Sequence, residues 1–282
     1  MADQSRSRAL ALAALAVACV AAALCVSWPA AGASPHAEPP PSNRRLSLPD
    51  PLPQREIKVP ILMYHLINVS PPGTPSSERR LTVHPADFAR QMRWLKQHGY
   101  RTVTQRELFE ALFQGRRLGP KPILITFDDG YRDLYVNASP VLARLGMRAT
   151  AYVITSRLKN GYPLFLTWRL LRQLPSRGIE IGSHTATHVD LTSLSDRDAA
   201  RELVQSRRAI ERRLRRPVRW LAYPFGDYDA RIERLVRRAG YVLAVTTDPG
   251  SVQSARRPLA LRRLQVLDST GVAGLAAMLE AQ

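Results

Sequence analysis

Two rhythms of apolar residues run along the chain from Val59 onward: short β-prone runs, and longer stretches with apolar positions three or four residues apart. Val59 to Tyr64, Ile123 to Phe127, Ala149 to Ile154, Ile179 to Gly182, Val218 to Ala222, Leu243 to Thr246 and Arg263 to Val266 read as strands, with a short one at Thr102 to Thr104. Between them, Ala86 to Gln97 reads as a helix with Phe88, Met92 and Leu95 inward, stopped by Gly99. Glu107 to Gln114, Val136 to Leu145 (stopped by Gly146), Trp168 to Leu174 and Ala230 to Ala239 follow the same pattern. The longest helix is Ser195 to Arg216, with Ser195 and Asp198 as its N-terminal capping pair and Ala199, Leu203, Ile210 and Leu214 as its buried stripe. Strands alternating with helices imply parallel βα units, and their number suits a closed barrel better than an open sheet. The expected fold class is α/β, a (β/α) barrel formed as a single catalytic domain over residues 57–282.

The N-terminal end is patterned differently. Arg6 and Arg8 precede an apolar stretch from Ala9 to Val26, and Ala31-Gly32-Ala33 then offers a small-residue cleavage site, so residues 1–33 read as a secretory signal peptide. An uncleaved membrane anchor is the alternative, because the apolar stretch is at the short limit for spanning a bilayer. Residues 34–56 are Pro-rich without hydrophobic periodicity and read as an extended linker. The expected destination is the periplasm, the cell surface or the medium. Both cysteines, Cys19 and Cys25, fall in the leader, so the mature chain has no disulfide partner and no thiolate chemistry. A metal site must then come from His, Asp and Glu.

The formal net charge is +18, much of it Arg on the Ser195 to Arg216 helix. A solvated basic face is the plain reading of that helix. Nucleic acid is not expected as a partner, since no aromatic-basic binding motif accompanies the charge. An acidic cell-envelope surface is the partner that the charge suits.

Candidate chemistry begins where the strand Ile123 to Phe127 ends in Asp128-Asp129-Gly130. Adjacent carboxylates repel unless a cation lies between them. After the strand at Ile179, His184 and His188 supply two imidazoles four positions apart. One carboxylate and two imidazoles suit a divalent metal of the zinc or iron kind with coordination left open for water, and the second carboxylate then remains as a base. His65, Asp128, Asp129 and His184 all follow strands, the end at which barrel chemistry gathers. His84, before Pro85, and His98, at a helix stop, read as structural.

In order and spacing, Thr126-Phe-Asp-Asp-Gly130, Ser183-His-Thr-Ala-Thr-His188 and Ala222-Tyr-Pro-Phe-Gly226 resemble the motifs of the polysaccharide deacetylases, carbohydrate esterase family 4, with a NodB homology domain. Val59-Pro-Ile-Leu-Met-Tyr-His65 at the domain's start resembles the circularly permuted branch that deacetylates poly-β-1,6-N-acetylglucosamine, in which a catalytic His stands first. Thr167-Trp168 is in keeping with that branch.

The resemblance implies a distorted barrel of the NodB type and a metal-dependent hydrolase releasing acetate from an N-acetylated polysaccharide. Its implied metal ligands are Asp129, His184 and His188, holding zinc or, failing that, cobalt, nickel or iron. Asp128 is the implied base, His65 the acid, and the Tyr223 and Phe225 amides the oxyanion donors, with Phe225 favoured. Trp168, Tyr223 and Phe225 are candidates for a sugar-binding wall, Trp168 equally for core packing. The Arg that many relatives carry before the Pro-Phe-Gly motif is Ala222 here, and Arg263 is the expected replacement beside Asp128. The alternatives are a deacetylase of peptidoglycan or chitin oligomers, and a catalytically silent glycan-binding module.

Overall fold

The computed structural model describes residues 46–159 and 162–281. The expected leader at 1–33, and the linker as far as residue 45, lie outside the described residues. Seven parallel strands form a ring: β1 (Ile61–Tyr64), β2 (Pro122–Phe127), β3 (Ala149–Val153), β4 (Ile179–Ser183), β5 (Trp220–Ala222), β6 (Leu243–Pro249) and β7 (Leu261–Gln265). Each pairs with the next in chain order, and β7 pairs back to β1. Outside this ring, Arg101–Thr102 pairs with the start of β2. Besides a short helix at Ser76–Arg80, the α-helices among the described residues are α1 (Pro85–Gln97), α2 (Gln105–Phe113), α3 (Ser139–Leu145), α4 (Trp168–Leu171), α5 (Asp196–Leu214), α6 (Ala230–Arg238) and α7 (Gly271–Glu280).

The two-residue period of the strands sorts side chains into two cores. Ile123, Ile125 and Phe127 of β2 face outward and pack with helix residues such as Phe88, Leu142 and Leu203. Leu124 faces inward, with Tyr152, Ala222, Val245 and Leu261, and this second core is closed below by Leu108, Phe109 and Leu112 of α2. Asp128 continues the phase of Leu124 and Thr126, His184 that of Glu180 and Gly182, and His65 that of Ile61 and Met63. The strands thus aim all three at the barrel's upper mouth. Gly182 is fixed by this interior: a Cβ on it would stand 2.5 Å from the Tyr152 ring and 3.0 Å from the Trp220 carbonyl.

Helix ends follow their caps. Ser195 Oγ accepts from the Asp198 amide, as expected. Thr104 and Glu107 form a capping box that starts α2 at Gln105, two positions before the expected Glu107. The expected helix Val136 to Leu145 is split: Leu134–Ala138 is a π-helical turn and α3 begins at Ser139. Pro140 lacks the N–H that an α-helix would direct at the Val136 carbonyl. The short pairings Glu56–Lys58 with Val252–Ser254 and Leu66–Ile67 with Thr82–Val83, and the helix α7, were not foreseen. The described end of the linker is not a free spacer: Leu46 is buried and Leu48 half-buried in the inner core, which removes apolar surface from water.

Gly182→Ala is expected to destabilise the fold by about 1–3 kcal/mol through overpacking against Tyr152 and the Trp220 carbonyl. A denaturant midpoint equal to that of the parent chain would contradict the packing described for the barrel interior.

Candidate active site

Asp128 and Arg263 are 2% and 1% exposed and meet in a two-pronged pair: Nη1 to Oδ1 and Nη2 to Oδ2, both at 2.8 Å. The guanidinium is aimed from below by two further bonds, Nε donating to the Thr246 carbonyl at 2.7 Å and Nη1 to Thr126 Oγ1 at 3.3 Å. Burial alone would raise the Asp128 pKa, but Arg263, with His184 and His65, reverses this and holds the carboxyl well below the usual carboxylate range. Arg263 therefore occupies the place expected of it in spite of Ala222.

Asp129 departs from strand geometry. Its φ of 68° turns the chain back, so that its carboxylate shares the mouth with its neighbour's, and Gly130 follows at +78° packed on Val153. Asp129 Oδ1 is buried with no hydrogen-bond partner among the described residues, yet it lies 3.5 Å from His184 Nε2 and 3.4 Å from His188 Nε2. These separations are too long for good hydrogen bonds. They match the roughly 3.3–3.6 Å between atoms held tetrahedrally at zinc-like distances from one ion. The three ligand atoms lie within 4.8 Å of one another. His184 Nδ1 is 2.8 Å from the Ala222 carbonyl, which can only accept, so the Nε2 lone pair is left facing the cluster. Burial, then the neighbouring His184, lowers the pKa of His188 and favours its neutral, ligating form. The residues fit a divalent cation.

The loop carrying the second imidazole is held by a residue that no motif revealed. Glu202 of α5 accepts from the Ala186 and Thr187 amides at 2.9 Å each and from Thr187 Oγ1 at 3.0 Å. Thr185 and His188 have φ of 65°, so the loop relies on such clamps. Nothing in the sequence separates this acid from others on a polar helix face.

On the other wall, Phe225 has a φ of 60°, is 60% exposed and sets its ring 4.7 Å from that of His188. Its N–H makes no backbone hydrogen bond among the described residues, which leaves it open to the mouth. A Cβ on Gly226 would stand 2.1 Å from Thr247 Oγ1, so glycine is required behind it. Tyr223 differs from expectation. Its amide donates to the Val245 carbonyl at 3.2 Å, and its ring is fully buried and stacked on Tyr228, so it neither lines a groove nor offers a free donor. Trp168 packs on the outer core beneath the Arg213 guanidinium, 5.5 Å away. The aromatic rim is formed instead by the stacked pair Tyr131 and Phe165, 5.0 Å apart, with Tyr162 42% exposed alongside. His65 Nδ1 is buried without a partner among the described residues, and burial lowers the His65 pKa against the pull of Asp128 and Asp129. His84 caps α1 and His98 stacks on Trp94, both structural as expected.

A parallel barrel with a carboxylate and two imidazoles converging at its mouth, and a second carboxylate held ionised beside them, defines a barrel hydrolase. The comparisons agree. The sequence profile of the family described as polysaccharide deacetylase matches residues 115–244. YxkH of Bacillus subtilis (strain 168), which carries the polysaccharide deacetylase name, is 34% identical over 223 residues, 79% of this chain and 76% of its own length. The structure of the Streptococcus pyogenes deacetylase PplD in complex with acetate superposes with a TM-score of 0.75 at 30% identity, over 80% of this chain and 99% of that one. Poly-beta-1,6-N-acetyl-D-glucosamine N-deacetylase of Escherichia coli (strain K12) is 30% identical over 124 residues, 39% of this chain and only 18% of that protein. The chain belongs to the polysaccharide deacetylase family, and its activity is hydrolysis of carbon–nitrogen bonds in acetylated polysaccharide.

Arg263→Gln leaves a buried carboxylate without its cation and should weaken folding by about 3–5 kcal/mol near neutral pH. The depressed Asp128 pKa stabilises the parent chain fully above the ordinary carboxylate value of 3.8, and that advantage is lost as the pH falls toward the folded-state value. In the variant burial raises the Asp128 pKa, so chemical denaturation of both chains should show a gap that is largest at high pH and narrows steadily as the pH falls through the acid range. A gap independent of pH would contradict the pairing.

Proposed function

We propose that this chain removes N-acetyl groups from an extracellular N-acetylglucosamine polymer, with poly-β-1,6-N-acetylglucosamine as its substrate. The observation that carries the reading is the convergence of Asp129, His184 and His188 beside the ionised Asp128. The rim of Phe225, Tyr131, Phe165 and Tyr162 supports a glycan, because pyranose faces pack on aromatic rings. His65 at the end of β1, ahead of the other site residues, and the similarity to the Escherichia coli enzyme support the β-1,6-linked polymer. Export through the N-terminal leader is part of the same proposal, since the polymer lies outside the cell.

Asp129, His184 and His188 would hold a divalent metal, zinc being the first choice for this donor set. When bound, it supplies Lewis acidity and makes water acidic enough to act near neutral pH. Asp128, ionised and oriented by Arg263, accepts the proton of the attacking water. The Phe225 N–H donates to the acetyl oxygen as that atom gains charge. A carboxyl as acidic as Asp128 does not keep its proton. His65, shifted toward the neutral ring by burial, takes the proton up and delivers it to the departing nitrogen as the acid. Amide and water thus become acetate and amine.

The test is acetate release from β-1,6- and β-1,4-linked N-acetylglucosamine oligomers, before and after metal stripping. The expected outcome is a preference for the β-1,6 series and restoration by zinc. Asp128→Asn should lower the rate by about 10²–10⁴-fold with metal affinity retained, whereas His188→Ala should lose metal binding as well. Full rate in the stripped protein would sink the mechanism, and equal rates on both linkages would sink the substrate assignment.

A further inference from the structure

Charge is distributed unevenly along the barrel axis. The loops after β4 and β5 with the first turns of α5 and α6, at the site's end, carry Asp190, Asp196, Asp198, Asp227, Asp229 and Glu233 against two bases, Arg197 and Arg231, the latter paired with Asp196 at 2.9 Å. In a parallel barrel each helix returns to the opposite end, so the segments that leave α5 and α6 lie at the pole away from the site. Those segments carry Arg212, Arg213, Arg215, Arg216, Arg237 and Arg238, all exposed. None of the six has a carboxylate partner among the described residues. Cations at helix C-termini complement the helix dipole, which accounts for one or two such residues per helix end. It does not account for six unpaired guanidinia on adjoining ends, where like charges repel.

The chain also enters at this pole. Ahead of β1, Arg55 Nη1 donates to the Ala111 carbonyl of α2 at 2.8 Å, the helix that closes the inner core from below, and Leu46, the first described residue, belongs to that core. Ahead of it in the sequence stands the apolar run Ala9 to Val26, preceded by Arg6 and Arg8. Chain entry and unpaired positive charge therefore share one end.

We propose that this basic pole is a docking surface for an anionic phospholipid bilayer, which orients the barrel with its acidic-rimmed site facing away from the membrane. Bilayer surfaces rich in acidic lipids attract basic segments by about 1 kcal/mol per Arg, roughly fivefold in partitioning for each. The orientation follows from the same charges, because the aspartates around the mouth are repelled by that surface. The lipid headgroup is the anion the observations favour, since the apolar run Ala9 to Val26, retained in the uncleaved-anchor reading of the leader, precedes in sequence the segment that enters here.

The experiment uses the full chain in vesicle flotation, with phosphatidylcholine alone and with phosphatidylcholine containing phosphatidylglycerol. The apolar N-terminal run gives the same contribution on both. The expected result is a further, salt-sensitive gain on the acidic vesicles, reduced by about 600-fold (roughly fivefold for each of four charges) in the Arg212→Gln/Arg216→Gln/Arg237→Gln/Arg238→Gln chain. That variant should keep its melting midpoint. A matched variant with Arg79, Arg80, Arg132 and Arg197 changed to Gln, at the site's end, should keep most of the gain. No gain on acidic vesicles, or an equal loss in both variants, would each overturn the proposal. The readout is independent of deacetylation, so its failure leaves the activity assignment untouched.

Discussion

The Asp128–Arg263 pair is the constraint around which the upper barrel is arranged. Two charges removed from water are tolerated only where geometry is good and remaining donors are satisfied. The geometry is good: the fork is two-pronged, and Thr246 and Thr126 take two of the three other N–H groups, so four of the five are bonded. Because β6, β7 and β2 each contribute one member, the pair ties three strands of the ring at one height. A base fixed in this way cannot rotate away from the mouth, and its ionised form is already present before substrate arrives. The same fixing explains why Ala222 is tolerated. Its carbonyl is used to set the His184 tautomer, and the cation comes from β7, two strands along the ring.

The sheet and much of the site were legible because both obey the two-residue period. Ile123 to Phe127 alternates between outer and inner cores, and continuing the phase by one residue delivers Asp128 inward. Arg263 is likewise in phase with the inward Leu261, although it was the absence of the family's Arg at Ala222, and not this alternation, that pointed to it. Tyr223 was misjudged because an aromatic next to a site motif reads as a wall. The β5–β6 pairing instead draws its amide into the ring, and Tyr228 covers its face. Glu202 left no trace in the sequence, since a clamp formed by a helix on a distant loop has no fixed spacing. The helix α7 was missed for a related reason: Gly271 and Gly274 lower its propensity, and packing of Leu275 and Leu279 decides it.

Asp129, Thr185, His188 and Phe225 all adopt left-handed backbone, a conformation unfavourable for residues with side chains. All four belong to the Asp129–His184–His188 cluster, to the loop that holds it or to its rim, where a strand could not turn its last residue back on itself. Such conformations persist only where the surroundings over-determine them. Here the surroundings are a closed ring with no free edge among its seven strands, a Glu202 clamp on one loop and a glycine wedged against Thr247 on the other. The barrel's rigidity is thus the condition for the site's local strain, because a looser scaffold would let each of these residues relax and the ligand atoms drift apart.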